Sequence, residues 1–101
     1  MKLNDRIQYV KEADSSSVLA AIRDENIILR AVAICEAAKR GLNDLAVCEA
    51  ITEAAKDNRT FWRPYLVSDF AIAALDVLGI SKYTGNNVFI KELIDAKLDF
   101  I

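Results

Sequence analysis

Residues 26–41 read Asn-Ile-Ile-Leu-Arg-Ala-Val-Ala-Ile-Cys-Glu-Ala-Ala-Lys-Arg-Gly. The Asn side chain offers an oxygen to the free amides of a helix start, and Asp24, two residues earlier, is a second candidate for that cap. Lys39 and Arg40 suit the negative end of the helix dipole, and Gly41 suits the left-handed residue that stops a helix. Between these signals Ile27, Ile28, Leu29, Val32, Ala33, Ile34 and Cys35 cover most of the circumference, so this helix has almost no wet face and belongs inside. A second stretch has the same character. Leu66, Val67, Phe70, Ala71, Ala74, Leu75 and Leu78 wrap a helix that Gly79 ends, and Pro64 is placed for its first turn, where a missing amide costs little. The pattern predicts two apolar helices, about 26–40 and 66–78, lying side by side.

The remaining helical segments are one-sided. Leu3, Ile7 and Val10 share a face of a first helix over about 3–13. The run Asp14-Ser15-Ser16-Ser17 then interrupts the pattern and offers caps to a short helix over about 18–23. Asn43 or Asp44 opens a helix with Leu45, Cys48, Ile51 and Ala55 as its stripe and Glu49, Thr52, Glu53 and Lys56 as its wet side. After a turn-rich connection that includes Lys82, Tyr83 and Asn86, residues Ile90, Leu93, Ile94, Leu98 and Ile101 give a last helix a single apolar face. One-sided and all-round helices alternate when helical hairpins stack, because the inner helix of each pair is covered by its neighbours. The expected fold is therefore all-α, about six helices arranged as stacked antiparallel hairpins in one domain over 1–101, with an irregular helical bundle as the alternative.

Composition agrees with this class. A hydrophobic fraction of 53% with 28% charged residues is that of a folding chain rather than a disordered one, and one Pro and three Gly leave long stretches free for helices. Thirteen Lys and Arg against fifteen Asp and Glu give a net charge of −2, which argues against a nucleic-acid backbone or an anionic membrane as partner. The longest apolar run is far shorter than the roughly 20 residues a membrane span needs, and no signal-peptide core follows Lys2, so the expected location is cytoplasmic. Cys35 and Cys48 both fall in apolar helical surroundings, where thiols behave as small hydrophobes; a hairpin about Gly41 would bring them to similar heights, but reduced thiols are the expectation in that compartment.

The junction Ile22-Arg23-Asp24-Glu25-Asn26-Ile27-Ile28-Leu29-Arg30-Ala31-Val32-Ala33 carries a resemblance. An aliphatic, an Asp two residues on, an aliphatic-Arg pair opening the second helix and a small residue beyond it are similar to the junction of a HEAT repeat, of the armadillo type. Forty residues on, Ala71, Ile72, Ala73, Leu75, Asp76, Val77 and Leu78 align without gaps with Ala31, Val32, Ala33, Cys35, Glu36, Ala37 and Ala38. The resemblance covers about residues 15–80 and implies an α-α superhelix used for protein binding, in which Asp24 caps the second helix and Arg30 projects along the stack. The second copy departs from the first at two points: Phe70 stands where the first has Arg30, and its turn is lengthened by an aromatic stretch.

That stretch, Arg59-Thr60-Phe61-Trp62-Arg63-Pro64-Tyr65, holds the chain's only Trp and only Pro. Either Phe61 or Trp62 folds back as a lid over the core, or Arg59, Phe61, Trp62, Arg63 and Tyr65 form a partner-binding surface, since large rings and guanidinium groups are what interface anchors are made of. Catalysis is not expected. There is no His, no nucleophile elbow, no base beside either Cys and no Gly-rich phosphate loop. The carboxylate pairs Asp24 with Glu25, Glu49 with Glu53 and Asp95 with Asp99 have no third ligand at helical spacing, so neither a metal nor another cofactor is expected. The sequence thus points to a non-catalytic interaction module with a protein partner, or a second copy of itself, against two alternatives: a nucleic-acid binder using the Arg and aromatic loop, and a small-ligand carrier.

Overall fold

A computed structural model describes residues 2–62 and 65–82, apart from the side chains of Phe61, Trp62 and Tyr65. The last helix expected over about 87–101 and the turn before it lie outside the described residues, as do Arg63 and Pro64. Among the described residues the chain is all-α apart from one short hairpin. Five helices occur among the described residues: α1 (Leu3–Glu12), α2 (Ser15–Ile22), α3 (Ile27–Arg40), α4 (Leu45–Ala54) and α5 (Val67–Val77). Between α4 and α5 the backbone forms two antiparallel strands, β1 (Thr60–Trp62) and β2 (Tyr65–Leu66), with Thr60 opposite Leu66 and Trp62 opposite Tyr65.

Helix boundaries follow the local chemistry. The Asp14 side chain accepts the amide of Ser17 at the start of α2, and this bond holds its carboxyl below the ordinary value, with the Ser17 and Ser16 hydroxyls adding to the effect. At α3 the cap is Asn26, whose oxygen accepts from Ile28 and Leu29. Gly41 ends α3 in the left-handed conformation, with φ of 67°. Arg40 does not attend to its own helix end alone. Its guanidinium crosses to α1 and donates to the carbonyls of Val10, Lys11 and Ala13, the class of groups a helix C-terminus leaves unpaired.

Three expectations need correction. The aromatic stretch is no irregular loop: its backbone pairs with itself as β1 and β2. In consequence α5 begins at Val67, after an extended Leu66, rather than in a turn led by Pro64. In α4 the buried stripe is Val47, Ala50, Ile51 and Ala54, while Leu45 is 74% exposed and Cys48 and Ala55 are only partly covered. Cys35 and Cys48 do not pair as a disulfide, and the Cys48 thiol donates to the carbonyl of Asn43.

The two helices expected to be apolar all round form the centre of the fold. In α3 the residues Leu29, Ala31, Val32, Ala33, Ile34, Cys35, Ala37 and Ala38 are buried, and in α5 Val67, Phe70, Ala71, Ala73, Ala74 and Leu75 are buried with Ser68. The small residues let the backbones of α3 and α5 approach, and these two helices pack on each other. Each large side chain sealed there, Ile34 or Phe70 for example, contributes on the order of 2 kcal/mol. α3 also packs on α1 and α2, and α5 on α4, while α2 contacts α4. The packed helices thus fall into two rows, α1, α3 and α5 in one and α2 and α4 in the other. α3 and α4, joined through Gly41, are not among the closely packed pairs.

Candidate functional site

The root of the β1–β2 hairpin is a carboxylate, Asp57, whose side chain is only 7% exposed. Burying a carboxylate is costly unless its oxygens find donors. Oδ1 accepts from the backbone amide of Arg59 at 3.1 Å and from its Nε at 2.9 Å. Oδ2 accepts from Nη2 of Arg59 at 2.6 Å and from Nη1 of Arg30 at 3.1 Å. Four donors fill the four lone-pair positions a carboxylate offers. The Arg59 fork is the first cause holding the Asp57 carboxyl down at about 2, and Arg30 acts in the same direction. Asp57 in turn raises Arg59 above its ordinary value.

The same short segment seats the hairpin on α5. The carbonyl of Asp57 accepts from Ser68 and that of Arg59 from Val67, two amides at the free end of α5. Asp69 accepts the amide of Leu66, and Ser68 donates to the side chain of Asn58. Arg59 also reaches back with Nη1 to the carbonyl of Glu25, in the turn between α2 and α3. The hairpin is thus bonded at its base to α3, α5 and the preceding turn.

Of the predicted partner-binding residues, Arg59 proves to be a clamp. All three of its guanidinium nitrogens donate within the chain, although the side chain is 51% exposed. Thr60, Phe61 and Trp62 follow it in β1 and Tyr65 starts β2, so the backbone brings Trp62 opposite Tyr65. The side chains of Phe61, Trp62 and Tyr65, and Arg63 as a whole, lie outside the described residues. The Lys82 end of the following connection is exposed.

Asp57 was not singled out from the sequence, although Arg30 was expected to project along the stack and Arg59 to meet a partner, yet a signal existed. Asp24 makes the same pair of contacts one unit earlier. Its Oδ1 accepts the amide of Asn26, two residues on, at 2.8 Å, and its Oδ2 accepts from Nη2 of Arg6 in α1 at 2.9 Å. Each Asp thus holds its own turn through the amide two residues ahead and receives an Arg from the neighbouring helix in the α1, α3, α5 row. The forty-residue alignment hides this match because Asp24 lies three positions before the start of α3 and Asp57 ten positions before the start of α5. The difference is the hairpin. At the position equivalent to Arg30, α5 carries Phe70, which is fully buried.

A cleft of about 310 Å³ opens beside Asp24, walled by Arg6, Tyr9, Val10, Ala20 and Leu29. It is mostly apolar, with the Arg6–Asp24 pair at its edge. Among the described residues no three His, Cys, Asp or Glu side chains gather to hold a metal ion, and no helix is long and apolar enough to cross a membrane. Comparison with protein-family models, with curated proteins and with solved structures gives no match.

Proposed function

We propose that the chain is a small HEAT-like stack of helical hairpins acting as a non-catalytic protein-interaction module, with the β1–β2 hairpin as its docking element. The pairing of α2 with α3 and of α4 with α5, together with the α3–α5 and α2–α4 contacts, supports stacking over an irregular bundle. The repeated Arg-to-Asp contact, Arg6 to Asp24 and Arg30 to Asp57, supports it independently. The single observation that carries the docking role is the clamp: Arg59 and Arg30 close on Asp57 and fix the base of a hairpin rich in aromatic residues. A recognition element held rigid before it meets its partner loses less entropy on binding. In this reading Arg59 positions the hairpin, and Phe61, Trp62, Arg63 and Tyr65 meet the partner.

The experiment is site-specific photo-crosslinking in the native host, with benzoylphenylalanine at position 62 and, as reference, at the exposed Gln8 of α1. The expected result is a discrete protein adduct from position 62 only. Absence of any adduct there, or the same adducts from both positions, defeats the docking role. An adduct at twice the chain's 11.2 kDa identifies a homodimer instead. Captured nucleic acid, released steeply as salt rises, establishes the nucleic-acid alternative.

A further inference from the structure

The two Arg-to-Asp contacts differ in one respect that points to a ligand. Asp57 accepts four hydrogen bonds, two of them from the side-chain fork of Arg59. Among the described residues Asp24 accepts two, from the Asn26 amide and from Arg6, which match the Arg59 amide and Arg30 at Asp57. What Asp24 lacks is the counterpart of the Arg59 fork. Its side chain keeps 29% of its surface exposed, against 7% at Asp57, and it borders the cleft between α1, α2 and α3. From this we infer that the cleft beside Asp24 is a docking pocket for an arginine side chain of a partner polypeptide, whose guanidinium takes on Asp24 the place that Arg59 takes on Asp57.

Charge and shape agree on this occupant. A planar fork satisfies both free positions of a carboxylate at once, which a point-charge ammonium does not. The phenol ring of Tyr9, 57% exposed, borders the cleft, and a guanidinium stacks favourably on such a ring. Val10, Ala20 and Leu29 supply apolar wall beyond what a guanidinium uses, and the volume of about 310 Å³ leaves room for an apolar neighbour of the arginine. The pocket is separate from the hairpin, so its fate does not depend on the docking role proposed above.

The test is an amide-shift NMR titration of the full chain with the blocked dipeptide acetyl-Arg-Leu-amide, beside the same dipeptide carrying citrulline or Lys in place of Arg. The expected outcome is saturable shifts at Tyr9, Ala21 and Asp24 with the Arg peptide, with the dissociation constant raised at least about tenfold by citrulline and by Asp24→Asn, since each removes a charge-assisted bidentate contact. Asn retains an acceptor for the Asn26 amide, so this variant keeps the turn. Ala20→Phe fills the cleft from the exposed side of α2 and is expected to abolish the shifts while the rest of the spectrum stays in place. Equal affinity for the citrulline peptide, shifts that map to the hairpin, indifference to Asp24→Asn, or no shifts at peptide concentrations up to about 10 mM overturn the proposal. Shifts of the same amides on raising protein concentration alone, without peptide, identify a second copy as the occupant and overturn it too.

Discussion

The turn at Asp24 and the turn at Asp57 follow one design and end in different states. In both, an Asp holds the amide two residues ahead and takes an Arg from the adjacent helix of the α1, α3, α5 row. Around Asp24 the turn is short, the ion pair is wet, with Arg6 42% and Asp24 29% exposed, and a cleft stands beside it. Around Asp57 the chain runs on through a hairpin, Arg59 folds over the carboxylate, and Arg30 is 16% exposed. Among the described residues the buried Nε of Arg30 has no hydrogen-bond partner. The lesson is that the same pair of residue types makes a weak surface contact or a strong internal joint according to what covers it, because attraction between charges and the cost of leaving one unpaired both grow as water is withdrawn.

Breaking the buried joint gives the largest expected effect. Asp57→Ala leaves Arg30 charged and enclosed without a carboxylate, and we expect a loss of about 3–5 kcal/mol in urea-unfolding stability; a loss below about 1 kcal/mol would erase the distinction between the two turns. Arg59→Ala leaves the Arg30 contact but deprives Asp57 of the side-chain fork, for an expected loss of about 1–2 kcal/mol, together with faster hydrogen exchange of the Val67 and Ser68 amides. Asp24→Ala removes a partly exposed pair and one turn bond, and about 1 kcal/mol is expected. If instead it matched Asp57→Ala, the exposure argument would fail.

Acid sharpens the comparison further. The folded Asp57 carboxyl lies at about 2, below its ordinary 3.8. A depressed folded value means that its contribution to stability is complete above about pH 4 and is lost as pH falls toward 2. Melting temperatures of wild type and Asp57→Asn should therefore converge over that window and remain separate above it. A constant gap between the two from pH 7 down to 2 would contradict the assignment.

Much of the architecture was legible from residues close in sequence. The caps at Asp14 and Asn26, the left-handed stops at Gly41 and Gly79, and the enclosure of α3 and α5 all follow from local signals and from apolar residues too numerous for one face. The face of α4 was misjudged because Leu45 and Val47 are both apolar, and a ten-residue amphipathic helix tolerates either phase until its neighbours choose one. The hairpin was missed because Pro64 is as consistent with a helix start as with a strand connection. Of the candidate site, the aromatic composition was visible but the clamp beneath it was not, since Arg30 lies 27 residues from Asp57. The cleft beside Asp24 joins three helices and leaves no pattern in any one of them.

Sequence alone determined that this chain is helical, where most of its helices begin and end, and which two lie inside, because capping bonds, left-handed glycines and apolar periodicity act within a few residues. Tertiary structure alone decided which face of α4 turns inward, which arginine meets which aspartate, and that one aspartate is sealed while its counterpart stays open. Those outcomes depend on how far solvent is excluded between elements distant in the chain, and solvent exclusion is a property of the assembled rows rather than of any segment.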